Sequence, residues 1–423
     1  MDPARSQDSA APLRPRLQLS KESMAFVARL DAAEAAVRRE DYRTAVQLLH
    51  RTPSLLQGSG DGRVYELMAL CATHTPLANA GDPWTLWNRC LVAYQEVHDG
   101  RGMERAHRNV GLCAYGRGEL NLAAQHLRRA QALVERQGRP DACIEGLCAQ
   151  AEVAMAQGSG GVDQAYAWAN EAVTKSQAHE GFGLLESQAR LARARASCLM
   201  GAVAEAAFDM LWAERVAPGA IGKGVRGLQL GLSRAESLLL LGYPHRAVTC
   251  LAACDAAAQA THQADVRAQY NLLLCEALLG DQPHDAHAAG LAAWQFFNVR
   301  KLSYFRAASE ISLVRTALRL GHDDCAARLR ALTGHRLERW PLLAFALKRA
   351  QYEVESPHHQ PLGAVKTPWM RAVGKIEVPP VNGQPQQAAS EQTTPGFMGK
   401  LSHVIGRVMG EEHEHAATTS KQG

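Results

Sequence analysis

The side chains best equipped for chemistry in this sequence are its ten cysteines, two short histidine-bearing stretches and a large set of arginines. Cys250 and Cys254 stand one helical turn apart, a spacing at which two thiolates can share a soft cation. No Cys-x-x-Cys pair occurs, so a zinc or redox site lacks its usual spacing. The ten positions, from Cys71 to Cys325, are scattered along apolar stretches and read as small core side chains. The tail Glu411-Glu412-His413-Glu414-His415 and the pair His358-His359 carry metal-capable groups in polar surroundings, with nothing nearby to orient them. A Gly-x-x-x-x-Gly-Lys-Ser/Thr phosphate loop, the His-Glu-x-x-His zinc motif and the Gly-x-Ser-x-Gly elbow are all absent. We therefore expect no catalytic residue, no metal and no cofactor, and a protein that is not an enzyme.

The elements that would position any of these groups are helices. Ala, Leu, Arg, Gln and Glu dominate, aromatic residues make up only 6%, and a hydrophobic content of 47% over 423 residues supplies a large core. A small residue opening a second helix recurs after a turn at Ala45, Leu86, Ala123, Ala165, Ala206, Ala247, Ala286 and Ala326, at intervals of 41, 37, 42, 41, 41, 39 and 40. Such a period marks stacked hairpins, each burying its apolar face against the next. The fold expected is all-α, a right-handed α-solenoid of about eight helix-turn-helix repeats. Residues 1–20 read as a disordered tail and 21–355 as the repeat domain. Its last helix, with Trp340, Leu343, Phe345 and Leu347, caps the stack. Residues 356–395 read as a flexible linker, 396–412 as an amphipathic helix and 413–423 as a second disordered tail.

Within the clearest unit, Gly111, Gly118, Ala123 and Ala130 fall where helix axes must approach closely. This pattern, echoed by Ala194, Gly201, Ala206 and Ala213 and by Ala235, Gly242, Ala247 and Cys254, resembles the tetratricopeptide repeat superfamily. The period near forty exceeds that family's usual 34 residues and resembles its long-helix variants. The resemblance implies a concave groove lined by the first helix of each hairpin, binding a protein or peptide partner. Carried over from Gly111, the groove positions are Arg105, Arg108, Leu112 and Tyr115, with Asn109 where the family often holds a ligand backbone. Later units place Arg195, Glu236, Arg267, Tyr270 and Arg315 in comparable positions, and Asn271 near a second such site. Arginine forks suit carboxylates, so an acidic segment is one ligand such a groove would favour.

The stripe Phe397, Leu401, Val404, Ile405 and Val408 has helical period and reads as a docking helix for a partner or for the chain's own groove. A membrane-surface role has weak support, because Lys400 and Arg407 are nearly balanced by Glu411 and Glu412. No apolar run has the length of a membrane span or of a secretory signal. A net charge of +4 gives no strong nucleic-acid signal. Free thiols suit a reducing cytoplasm. The functional expectation is a non-enzymatic adaptor. The alternative is a regulatory sensor responding to a small ligand or signal peptide.

Overall fold

A computed structural model describes residues 21–50, 59–75, 81–333 and 337–355, all within one compact unit. The expected docking stripe, Phe397, Leu401, Val404, Ile405 and Val408, lies outside the described residues, as do the linker and both tails. The described residues form helices without a strand. Eight antiparallel hairpins follow one another: α1 (Lys21–Arg38) with α2 (Tyr42–His50), α3 (Ser59–His74) with α4 (Pro83–Glu96), α5 (Gly100–Arg117) with α6 (Leu120–Gln137), and α7 (Pro140–Ala156) with α8 (Ser159–Gln177). Then come α9 (Gly183–Met200) with α10 (Val203–Val216), α11 (Gly224–Leu240) with α12 (Pro244–Ala260), α13 (Ala264–Leu278) with α14 (Pro283–Val299), and α15 (Ser303–Arg319) with α16 (Cys325–Thr333). A 3-10 turn at Leu337–Arg339 leads into α17 (Pro341–Glu355).

From one first helix to the next the starting residues advance by 38, 41, 40, 43, 41, 40, 39 and 38, the last step reaching α17. The final helix is therefore the first half of a ninth repeat, packed on α15 as each first helix packs on its predecessor. Five helices begin on proline, at Pro83, Pro140, Pro244, Pro283 and Pro341, where the missing N–H costs nothing. Asp82 and Asp99 cap α4 and α5, Asp99 Oδ1 accepting from the N–H groups of Arg101 and Gly102 at 3.0 and 3.1 Å.

Small residues set the packing inside each hairpin. A side chain at Gly111 would place its Cβ 2.9 Å from Leu127 Cγ and 3.2 Å from the Ala123 carbonyl oxygen, so α5 and α6 need glycine here. Ala45, Ala123, Ala165, Ala206, Ala247 and Ala286 are wholly buried at the expected positions. In the eighth hairpin the expected Ala326 is exposed, and Cys325 takes the buried place. Cys325 shares a helix face with Leu329 and Leu332, both buried, whereas Ala326 is turned outward. Eight of the ten cysteines are buried, and burial pushes the Cys71, Cys148 and Cys198 thiols up to about 12, which suits small protonated core side chains.

One buried polar pair interrupts the third hairpin. His107 on α5 and His126 on α6 bring their Nδ1 atoms to 3.0 Å, with 6% and 8% of each residue exposed. That contact needs one nitrogen to donate and the other to accept, which a pair of neutral rings satisfies. Burial, the neighbouring ring and Arg129 depress His107 to about 4, and burial and Arg129 lower His126.

The solenoid also returns upon itself. Besides its neighbours, α3 meets α13, α5 meets α15 and α7 meets α17. Along this seam Glu40 Oε2 accepts from the His262 N–H at 2.8 Å and the Thr261 hydroxyl at 3.1 Å. His74 Nδ1 lies 3.0 Å from Asp265 Oδ1, and Arg300 donates to the Ala72 carbonyl. Trp340, 2% exposed, donates its indole N–H to the Gly118 carbonyl at 2.8 Å. Gly118 has φ +80°, and a Cβ there would collide with the indole at 2.2 Å. Expected as a cap for the last hairpin, Trp340 thus also locks the third.

Two outcomes are expected. Trp340→Ala should cost roughly 3–5 kcal/mol and lower amide-exchange protection in α5, far along the chain, which exchange measured by mass spectrometry would detect. Because both histidines have folded pKa values below the unfolded value near 6.5, the unfolded chain binds more protons below that pH. Stability should then fall as pH drops from about 6.5 towards about 4, and the fall should flatten in His107→Leu/His126→Leu when urea midpoints are compared.

Candidate functional site

Successive odd-numbered helices touch one another, from α1 and α3 through α15 and α17, whereas the even-numbered helices touch chiefly their chain neighbours. The first helices therefore form the inner layer of the solenoid and the second helices the outer one. Side chains at one level of successive inner helices lie one repeat apart in sequence. A repeat near forty residues should accordingly bring together partners about forty residues apart.

Several charged pairs obey that rule, although Arg63 on α3 meets Asp31 and Glu34 on α1 at separations of 32 and 29. Arg105 on α5 binds Glu66 on α3 through two bonds, Nε to Oε1 at 2.6 Å and Nη2 to Oε2 at 2.9 Å. Arg108 reaches Glu145 on α7 at 2.6 Å, and Arg226 on α11 reaches the same carboxylate at 3.4 Å. Arg195 on α9 joins Glu152 on α7 and Glu236 on α11, donating at 2.9 and 2.7 Å. Arg315 on α15 joins Glu276 on α13 at 2.5 Å and Glu353 on α17 at 3.0 Å. The sequence separations of these adjacent-repeat pairs run from 37 to 43 residues, one repeat each.

The arginines expected to be open to a ligand are thus engaged with neighbouring repeats. Arg195 and Arg315 are buried, at 6% and 7% exposure, while Arg105 and Arg108 are partly exposed. Asn109 donates its amide to the Arg105 carbonyl of its own helix at 2.9 Å. Arg267 donates to the Ala258 and Gln259 carbonyls at 3.2 and 3.4 Å and to that of Thr261, closing the end of α12. Tyr270, 4% exposed, turns its hydroxyl to Asp255 on α12 at 3.1 Å. Leu112 is 40% exposed. Tyr115 packs on Tyr304 and Phe305 across the seam with ring centres 5.4 Å apart.

Of the expected residues, Tyr115, Arg195 and Glu236 are the ones brought into one electrostatic neighbourhood. Burial raises the Tyr115 hydroxyl well above its ordinary value, Tyr304 and Glu236 add to that, and Arg195 opposes it. Burial and then Glu236 raise Tyr304. Sequence reasoning missed Tyr304 and every carboxylate of the ladder except Glu236. A search for Glu and Arg one repeat apart would have found Glu66, Glu145, Glu152, Glu276 and Glu353. Burial disfavours the charge on Glu276, yet Arg315 and the Ser312 hydroxyl hold its carboxyl below the ordinary range.

Among the described residues no group of three His, Cys, Asp or Glu side chains could hold a metal ion, and no helix is long and apolar enough to cross a membrane. No family model and no curated protein matches the sequence. Among solved structures the P58(IPK) TPR domain aligns over 79% of this chain and 99% of its own, with 13% identity and a TM-score of 0.24. The described hairpins form an all-α solenoid with a repeat near forty residues.

Removing one member of a buried ion pair strands the other charge. Arg315→Ala, which leaves Glu276 only the Ser312 hydroxyl and Glu353 only Arg349, should cost roughly 3–5 kcal/mol. Arg105→Ala, at a site over a third exposed, should cost about 1 kcal/mol or less. Urea unfolding of the two variants would measure the difference.

Proposed function

We propose that this protein is a non-enzymatic interaction module that holds an extended segment of a protein partner against its inner face. The observation that carries this reading is the inner layer itself. It is a layer of successive first helices, bridged by ion pairs from one repeat to the next, and it presents the exposed Leu112 and the partly exposed Glu236. Arg105, Arg108, Asn109, Arg195, Arg267, Tyr270 and Arg315 then serve mainly to shape that surface, with Leu112, Tyr115 and Glu236 nearest to a partner. The apolar stripe from Phe397 to Val408 supplies a second docking element, and the free thiols fit the cytoplasm. Nucleic acid and membrane are the less favoured partners.

The seam favours a second reading, a sensor whose pitch changes on binding. Polar contacts such as Glu40 to His262 and His74 to Asp265 join distant repeats through few atoms, so a ligand favouring an opened seam could shift the equilibrium.

Affinity capture from native lysate separates these readings. A groove binder should retain a defined partner that Leu112→Gln weakens and Val203→Gln, the same change on the outer helix α10, leaves unchanged. Retention by a chain ending at Glu355 would place recognition on the solenoid, and capture by the full chain alone would assign it to the tail stripe. An empty capture combined with a thermal shift on adding metabolites would favour the sensor. Equal capture by both glutamine variants would reject the groove.

A further inference from the structure

At one level of the inner layer the charges do not balance. Arg195 on α9 lies between Glu152 on α7 and Glu236 on α11, its Nη1 donating to one oxygen of each. Two carboxylates thus share one guanidinium. The guanidinium is the hidden member, with its side chain 8% exposed, while Glu152 and Glu236 are 30% and 44% exposed. Elsewhere on the ladder the sums differ. Glu66 meets Arg105 alone, Glu145 meets both Arg108 and Arg226, and at Glu276, Arg315 and Glu353 a second arginine, Arg349, lies 3.2 Å from Glu353.

A second observation comes from the guanidinium. Arg195 Nε is buried with no hydrogen-bond partner among the described residues. This N–H lies in the plane of the fork whose terminal nitrogens hold the two carboxylates, and its complement is an acceptor such as a peptide carbonyl.

We infer that the inner face between α7, α9 and α11 accepts the guanidinium or ammonium group of an arginine or lysine on an extended peptide. Glu152 and Glu236 are the charge partners, and Arg195 is the donor to the peptide backbone. An acidic segment, by contrast, would meet the two exposed carboxylates before it reached the buried Arg195. The whole chain carries +4, so long-range attraction does not draw basic peptides to it, and the selectivity is local. This inference rests on the groove reading above and narrows its partner to a basic segment.

The test titrates the full chain with three fluorescently labelled short peptides built on one Gly-Ser-Ala frame, bearing arginines, glutamates or neither, and reads anisotropy. The arginine peptide should bind and the other two should not. Glu236→Gln and Glu152→Gln should each weaken it by about tenfold, the scale of one charge-assisted hydrogen bond. Glu236→Lys should abolish binding, and Glu171→Gln on the outer helix α8 should change nothing. Circular dichroism of each variant checks that the fold is kept. Absent binding of the arginine peptide, equal binding of all three, preference for the glutamate peptide, or indifference to both glutamine variants would each overturn the inference. Lysate capture that Leu112→Gln weakens while Glu152→Gln and Glu236→Gln leave it intact would remove the cation site and keep the groove.

Discussion

Everything in this fold follows from how closely the two helices of a hairpin approach. At Gly111 there is no room for even a methyl group beside Leu127, and at the corresponding level of the second helices the buried residue is alanine in six hairpins. Small side chains allow near contact of the backbones but bury little apolar area per repeat. The larger side chains therefore act between hairpins. Trp87 and Leu91 of the second hairpin share a core with Ala106 and Val110 of the third, and Leu228 and Leu232 of the sixth share one with Leu191 of the fifth. At the seam, Tyr304 and Phe305 pack on Tyr115, and Trp340 bonds to Gly118, joining repeats that are far apart in sequence.

The same geometry decides what the arginines do. Stacked first helices place residues one repeat apart side by side, and where these are Arg and Glu they pair. Burying such pairs gives little net stability compared with apolar packing. A surface that looks rich in free cations when its residues are taken singly is, once stacked, an ordered row of ion pairs. Its chemistry toward a partner depends on local imbalance rather than on the number of arginines.

The hairpins were legible because their signal is periodic. Small residues at intervals near forty mark second helices whether or not the partner helix is known, and only the eighth, Ala326, missed the buried position, by one residue. The ladder was half legible: Arg105, Arg108, Arg195 and Arg315 were singled out as inner-face positions, but of their partners only Glu236 was, since each Glu alone reads as a solvated residue. Arg267 and Tyr270 were placed by a register that slips where α12 and α13 meet, and both side chains turn to α12 instead. The seam left no trace in the periodicity. Glu40 with His262, or Gly118 with Trp340, pairs residues more than 200 positions apart, and no repeat pattern announces such a contact.

An open solenoid can fold from any repeat outward, because each unit senses only its neighbours. The contact between Trp340 and Gly118 changes the order of events for this chain. Local hairpins form first, as low-separation contacts do, and the closing of the seam must wait until both the third hairpin and α17 are in place. Once closed, fraying from the C-terminal end is no longer a local matter, since loosening α17 also releases the end of α5. The chain thereby acquires a cooperativity between distant repeats that a linear array lacks.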